Sequence, residues 1–238
     1  VALPDPGRRG ERESVIPAHA SGSGRAAFLR EVHVIQFPAS VAAGADVGDD
    51  SGVRGFIAVD APPEIRKLLV RVQAALRRAD ADVRWVEEEN LHLSLKFLGD
   101  VTQGQVLELQ PLLRAEAALW PAMRLTYAGI GVFPSRGLPR VVWAGATGDL
   151  EQLAGLAAAV ERAAERVGVP REGRPFVAHL TLGRVKSGRN ARRLQAVIEE
   201  QRHLPLGTDT VRDLVLYQST LTSGGPVYQE LVRLALGG

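Results

Sequence analysis

The chain has 238 residues, enough for one sizeable domain or two small lobes sharing a core. Its 45% hydrophobic content and near-zero mean hydropathy are those of a soluble globular protein, and no apolar run approaches the roughly 18 residues needed to cross a bilayer. A formal net charge of only +2 argues against a general polyanion binder, and the lack of cysteine excludes disulfides, thiolate metal sites and a cysteine nucleophile.

In chain order, residues 1–52 differ from the rest. Gly, Ser, Pro, Ala and Asp dominate, no apolar period lasts two turns, and only Val32–Phe37 has strand character. The segment is expected to be disordered or loosely attached. Arg8-Arg9 is not followed by an apolar stretch, so no secretion signal is expected and a cytoplasmic location is the default. An alternative is a start site set too far upstream, since the chain opens on Val and Val53-Arg-Gly-Phe-Ile-Ala-Val-Asp60 has the pattern of a domain start. The globular domain is therefore placed at residues 53–238.

Within it, Phe56–Val59 predicts a strand, and Pro62-Pro63 leads into a helix with Ile65, Leu68, Leu69, Val72 and Leu76 on one stripe. Val83–Val86 precedes a strand at Asn90–Gly99. Thr102 and Gln105 form a capping box for a second helix, which Pro111 is expected to kink. Arg124–Ile130 and Arg140–Ala144 predict paired strands around the loop Phe133-Pro-Ser-Arg-Gly-Leu-Pro139. Asp149 caps a third helix that ends at Gly168 and Pro170, and Asn190 starts a fourth. Val211–Leu221 and Val227–Leu234 predict closing strands.

Two of these strands carry the same device. In Asn90-Leu-His-Leu-Ser-Leu-Lys-Phe-Leu-Gly99, Leu91, Leu93 and Leu95 point one way and His92, Ser94 and Lys96 the other. In Ala178-His-Leu-Thr-Leu-Gly-Arg184, His179 and Thr181 share a face opposite Leu180 and Leu182. Each imidazole lies about 6–7 Å along the strand from its hydroxyl, close enough for both to meet one small anion. The order strand–helix–His strand–helix occurs twice, which reads as an internal duplication placing two equivalent His faces across a shared groove.

Such a pair suits in-line displacement at phosphorus. One imidazole serves as base on the attacking side and the other as acid on the leaving side, since the free group titrates near pH 6.5. The hydroxyls hold non-bridging oxygens, and neither metal, cofactor nor covalent intermediate is required. A zinc site wants three or four ligands, and a Ser-His-Asp triad wants a Gly-x-Ser-x-Gly elbow; neither pattern is present. The bland alternative is a pair of core histidines with satisfied hydrogen bonds. His19, His33 and His203 lack a hydroxyl two residues on and are given no role.

His92-Leu-Ser94 and His179-Leu-Thr181, in these settings, resemble the paired motifs of the 2H phosphoesterases, and in particular the LigT-like RNA 2′,3′-cyclic phosphodiesterases once called 2′-5′ RNA ligases. Phe56-Ile-Ala-Val59, Phe133-Pro-Ser-Arg136, Pro139-Arg140 before Trp143, and Leu216-Tyr-Gln-Ser219 add to the likeness, which runs from about Val53 to Leu236. Ser94 stands where the family more often has Thr, and the hydroxyl is kept. The resemblance implies a two-lobed α+β fold with antiparallel sheets lining a central cleft and helices outside. It also implies metal-independent opening of a terminal cyclic phosphate on RNA to leave a 2′-phosphate; a monomer is expected, with no membrane partner. His179 would activate water, His92 would protonate the 3′-oxygen, and Ser94 and Thr181 would hold the phosphate.

Further substrate-binding candidates follow. Lys96 shares the His92 face and is expected to line the cleft. Arg184 belongs on the leucine side by alternation unless Gly183 lets the backbone turn; it contacts phosphate or caps a strand end. Arg136 and Arg140 flank the hairpin loop and either reach the RNA backbone or are simply solvated. Phe133 and Tyr217 either stack on a terminal base or belong to the core. Rival functions are a related activity on small cyclic nucleotides or 2′-5′ oligonucleotides, and a non-catalytic RNA-end binder.

Overall fold

The computed structural model describes residues 52–237, so the expectations for the N-terminal segment lie outside the described residues. In order the elements are β1 (Val53–Asp60), α1 (Pro63–Leu76), β2 (Val83–Trp85), β3 (His92–Val101), α2 (Gln103–Ala117), β4 (Met123–Phe133), β5 (Val141–Gly148), α3 (Leu150–Arg166), β6 (His179–Val185), α4 (Ala191–Glu200), β7 (Pro205–Val211), β8 (Asp213–Thr222) and β9 (Gly225–Ala235). Every strand pair is antiparallel. The path runs β7-β4-β5-β6-β3-β1-β8-β9, with β2 added beside β6.

This path is two four-stranded halves, β3-β1-β8-β9 and β6-β5-β4-β7, joined at one residue pair, Leu93–Leu180. The units β1-α1-β3-α2 and β5-α3-β6-α4 repeat one plan, as the duplicated α+β pattern predicts. The first helix of each unit is exchanged between halves. α1 of the first unit packs on α4 and on β7, whereas α3 of the second packs on α2 and on β3.

Local chemistry accounts for the element ends. Pro63 opens α1, where its missing N–H costs nothing, and Ile65, Leu69, Val72 and Leu76 form the buried stripe. Thr102 and Gln105 make the reciprocal capping box of α2, at 3.1 and 2.9 Å, and that helix continues through Pro111 to Ala117. Asp149 stands at the N-cap of α3 but does not cap it. Its Oδ2 instead accepts the Arg124 N–H at 2.7 Å, pinning the start of β4. Gly168, at φ +84°, supplies the left-handed turn after α3.

The expected strand over Val211–Leu221 is in fact the end of one strand and most of another. The chain breaks at Arg212 between β7 and β8, and β7 itself was not legible, because Pro205-Leu-Gly-Thr-Asp-Thr reads as a turn. Pro205 is tolerated there because β7 is an edge strand. No helix of the described residues is long and apolar enough to cross a membrane.

Apart from Tyr127, the buried polar or charged side chains among the described residues are Gln73 on α1 and Lys96 on β3. Both hold the His strands, and they do so at matching places.

Candidate active site

β3 and β6 run side by side at the centre of the sheet path. Leu93 and Leu180 face each other and are buried against the helices at 1% and 0% exposure. Continuing that antiparallel register sets His92 beside Thr181 and Ser94 beside His179, all on the opposite, cleft side. Opposed Cβ atoms in such a ladder are about 4.5–5.5 Å apart and diagonal neighbours roughly 7–8 Å. The two imidazoles are one such diagonal, and the two hydroxyls are the other. A local two-fold relation through Leu93 and Leu180 therefore sets the two imidazoles and two hydroxyls on one face of the paired strands.

Beyond each hydroxyl the strand contains a bulge. The β1–β3 register slips between Ile57 and Ala58, whose partners are Lys96 and Ser94, leaving Leu95 unmatched. The β5–β6 register slips between Val142 and Trp143, whose partners are Gly183 and Thr181, leaving Leu182 unmatched. An extra residue reverses the facing of everything after it. The fifth residue after each histidine is thereby returned to the cleft side, as exposed Phe97 in one half and exposed Arg184 in the other.

This bulge corrects the expectation for Lys96. Simple alternation places it in the cleft; instead it is 2% exposed and turned toward the helices. Its Nζ donates to the Pro170 carbonyl at 2.6 Å and pairs with Glu161 of α3 at 3.0 Å. At the matching place in the other half, Gln73 Nε2 of α1 donates to the carbonyls of Leu182, at 2.9 Å, and Val86, at 2.7 Å. The helix of each unit thus clamps the bulge of the other. For Arg184 the bulge settles the question of facing, and it brings the guanidinium close enough to act on the Tyr228 phenol.

The surroundings of the histidines differ. His179 Nδ1 donates to the Val177 carbonyl at 2.7 Å, which leaves Nε2 free, and the edge of Phe133 meets its ring at 5.1 Å. Phe133 also packs on Trp143 at 5.1 Å, and Trp143 lies over Gly131, where an added Cβ would collide with the indole. His92 sits in an aromatic box. Phe56 stacks on it at 4.7 Å and 24°, Tyr228 meets it edge-on at 5.4 Å, and Tyr217 stacks on Phe56 at 5.2 Å with its ring 6.2 Å from the imidazole. Burial in this box pushes the His92 imidazole down to about 4, against the opposing pull of the Asp60 carboxylate and the Asn90 backbone.

Tyr217, a stacking candidate, contributes its ring to this wall and its hydroxyl to Asp60, at 2.9 and 3.1 Å. Burial and Asp60 together hold its phenol neutral, well above the ordinary range. Arg136 lies exposed in the β4–β5 loop, and Arg140 is exposed beside β5. Phe56, Asp60, Tyr228 and Trp143 escaped the sequence reading as site residues. Their strands are far from β3 and β6 in the chain, and only the β-pairing brings them near. Among the described residues no group of three or more His, Asp or Glu side chains converges as metal ligands.

A duplicated antiparallel frame with one His-x-(Ser/Thr) strand from each unit, meeting on a common face, is that of a two-histidine phosphoesterase. The family model described as LigT like Phosphoesterase matches residues 59–143 and 147–228, one segment for each His strand, and the chain belongs to that family. It is 36% identical over 179 residues to an RNA 2′,3′-cyclic phosphodiesterase of Methanothermobacter thermautotrophicus, spanning 75% of this chain and 96% of that one. An Aquifex aeolicus protein of the same name is 33% identical over 189 residues, 78% of this chain and 98% of its own. Among solved structures, Escherichia coli LigT complexed with 3′-AMP superposes with a TM-score of 0.66 at 30% identity, covering 79% of this chain and 99% of that one.

Proposed function

We propose that this protein hydrolyses 2′,3′-cyclic phosphate ends of RNA to 2′-phosphates without a metal ion. The observation that supports the reading best is the Leu93–Leu180 pairing, whose register, continued to either side, would set both histidines and both hydroxyls on one face of the paired strands. The names of the relatives supply the substrate class. In this reading His179, whose Nδ1 proton is held by the Val177 carbonyl, uses its free Nε2 to take a proton from water. Water attacks phosphorus in line with the P–O3′ bond, that bond breaks, and His92 protonates the leaving 3′-oxygen. Ser94 and Thr181 donate to non-bridging oxygens, and Arg184, returned to the cleft face by its bulge, offsets the charge that builds there.

His92 imposes a condition on this scheme. Its imidazole titrates near 4 in the free protein, so it is neutral at pH 7 and must gain its proton as the anionic substrate arrives. With a 5′-hydroxyl in place of water, the same steps break the P–O3′ bond of the cyclic phosphate and leave a 2′-5′ bond, His92 again protonating the 3′-oxygen.

The test is a short RNA ending in 2′,3′-cyclic phosphate, incubated with the protein in EDTA beside His92→Ala and His179→Ala. Formation of a 2′-phosphate by wild type, with each variant slowed by about 10²–10⁴-fold, is the expected result. A 3′-phosphate product, loss of turnover in EDTA, or an active His179→Ala variant would overturn the proposal.

A further inference from the structure

Behind the aromatic box stands a charged group that the proposed chemistry does not use. Asp60 ends β1 directly opposite His92 on β3, on the same face. Its carboxylate accepts the Tyr217 hydroxyl at 2.9 Å and Arg233 Nη2 of β9 at 2.8 Å. The same guanidinium is held by Glu230, at 2.6 Å from Nη2 and 3.2 Å from Nε. Burial alone would weaken the Arg233 charge, but the hydrogen bonds to Glu230 and Asp60 outweigh it and fix the arginine as a cation. Two carboxylates and one guanidinium leave a net charge of −1 beside the imidazole.

The other groups around His92 can be placed element by element. On its own strand Lys96 is turned away to Glu161. From β8 and β9 come the Tyr217 and Tyr228 phenols, both held neutral by burial. Arg54 of β1 and Arg184 of β6 act on the Tyr228 phenol, and β6 also supplies Thr181. Asp60 and Arg233 also line a cavity of about 370 Å³, together with Arg66, Asp209, Arg212 and Asp213. The Tyr127 hydroxyl, buried and without a partner, lies near Asp209 and Asp60. Asp60 is thus the carboxylate set against the imidazole itself, and Arg233 is the cation that tempers it.

We propose that Asp60 is a positioning residue for His92, and that the Tyr217–Asp60–Arg233 triad sets how readily that imidazole carries a proton. Removing the Asp60 charge leaves a neutral Arg233–Glu230 pair behind the ring, so the imidazolium loses its support. Removing the Arg233 charge leaves two carboxylates, so the imidazolium gains support. The two substitutions therefore act in opposite directions. Mere loosening of the box acts in one direction only, toward the ordinary imidazole value near 6.5.

This inference rests on His92 being a catalytic group, but its test needs no turnover. The His92 ring is followed by NMR in the full chain at pH 5, with the His179 ring as the control for folding. With a pKa of about 4, wild type holds about 10% imidazolium at His92 at that pH. In Asp60→Asn that fraction falls about tenfold, and in Arg233→Gln it rises to about half, for shifts of about one pH unit each way. A rise in Asp60→Asn, or no movement in either variant, overturns the role of Asp60. On a cyclic-phosphate end, Asp60→Asn also loses about tenfold in kcat at neutral pH while KM stays within about twofold. A wild type that turns nothing over would instead overturn the activity and leave the titration to decide this point alone.

Discussion

Lys96→Met is the sharpest single-residue perturbation of this architecture. The substitution keeps the length of the side chain and removes the ammonium that pairs with Glu161 at 3.0 Å and bonds the Pro170 carbonyl at 2.6 Å. Its own side chain is 1% exposed and that of Glu161 is 19% exposed, so the abandoned carboxylate is mostly desolvated. Breaking one partner of a buried pair costs about 3–5 kcal/mol. The residual access of water to Glu161 puts the expected cost near the lower end, about 3 kcal/mol. For a domain of this size each kcal/mol lowers Tm by about 2–4 °C, so differential scanning calorimetry should register a fall of roughly 6–12 °C. The double variant Lys96→Met/Glu161→Leu should recover most of it, because a well-packed apolar pair of similar volume is usually neutral or better. Turnover of the folded variant should stay within about twofold of wild type, since the ammonium faces the helices. An unchanged Tm with a tenfold or greater loss of activity would refute this placement and return Lys96 to the cleft.

Other consequences can be checked separately. The His92 imidazole titrates near 4 when folded and near 6.5 when unfolded, so between those values only the unfolded chain binds the proton. Stability from this group is therefore complete above about pH 6.5 and is lost as pH falls through 4, about 3 kcal/mol in all; denaturant titrations of His92→Gln should lack that component. Gln73→Met removes the amide that bonds the Leu182 and Val86 carbonyls, costing about 1–3 kcal/mol. Because the same bulge presents Arg184, the losses in kcat/KM of Gln73→Met and Arg184→Ala should be less than additive in a double-mutant cycle. Gly131→Ala would drive a methyl into the Trp143 indole, and through Phe133 should lower kcat while shifting the tryptophan emission.

The histidines, the hydroxyls and the duplicated order of elements were legible because alternating leucines report a strand and its facing directly. Lys96 and Arg184 were not, for a shared reason. A one-residue bulge leaves the sequence looking like continued alternation while it exchanges the faces beyond it. The device that stabilises each bulge, Gln73 or Glu161, lies on a helix of the other unit, beyond the reach of any local pattern. Asp60 and Tyr228 fall under the same limit, since one ends a strand paired with β3 and the other lies on the outermost strand of that half. β7 was hidden by its own chemistry, as an edge strand tolerates the Pro and Gly that signal a turn.

In the proposed reaction both halves of the duplication act on one phosphate. A crystal structure with a nucleoside 2′-monophosphate, the monomeric form of the product, tests it most directly. The phosphate is expected on the cleft face beside Leu93 and Leu180, within hydrogen-bond distance of both His92 and His179 and of the Ser94 and Thr181 hydroxyls. A phosphate held by one histidine alone, or seated in the cavity beside Arg66 and Arg212, would contradict it.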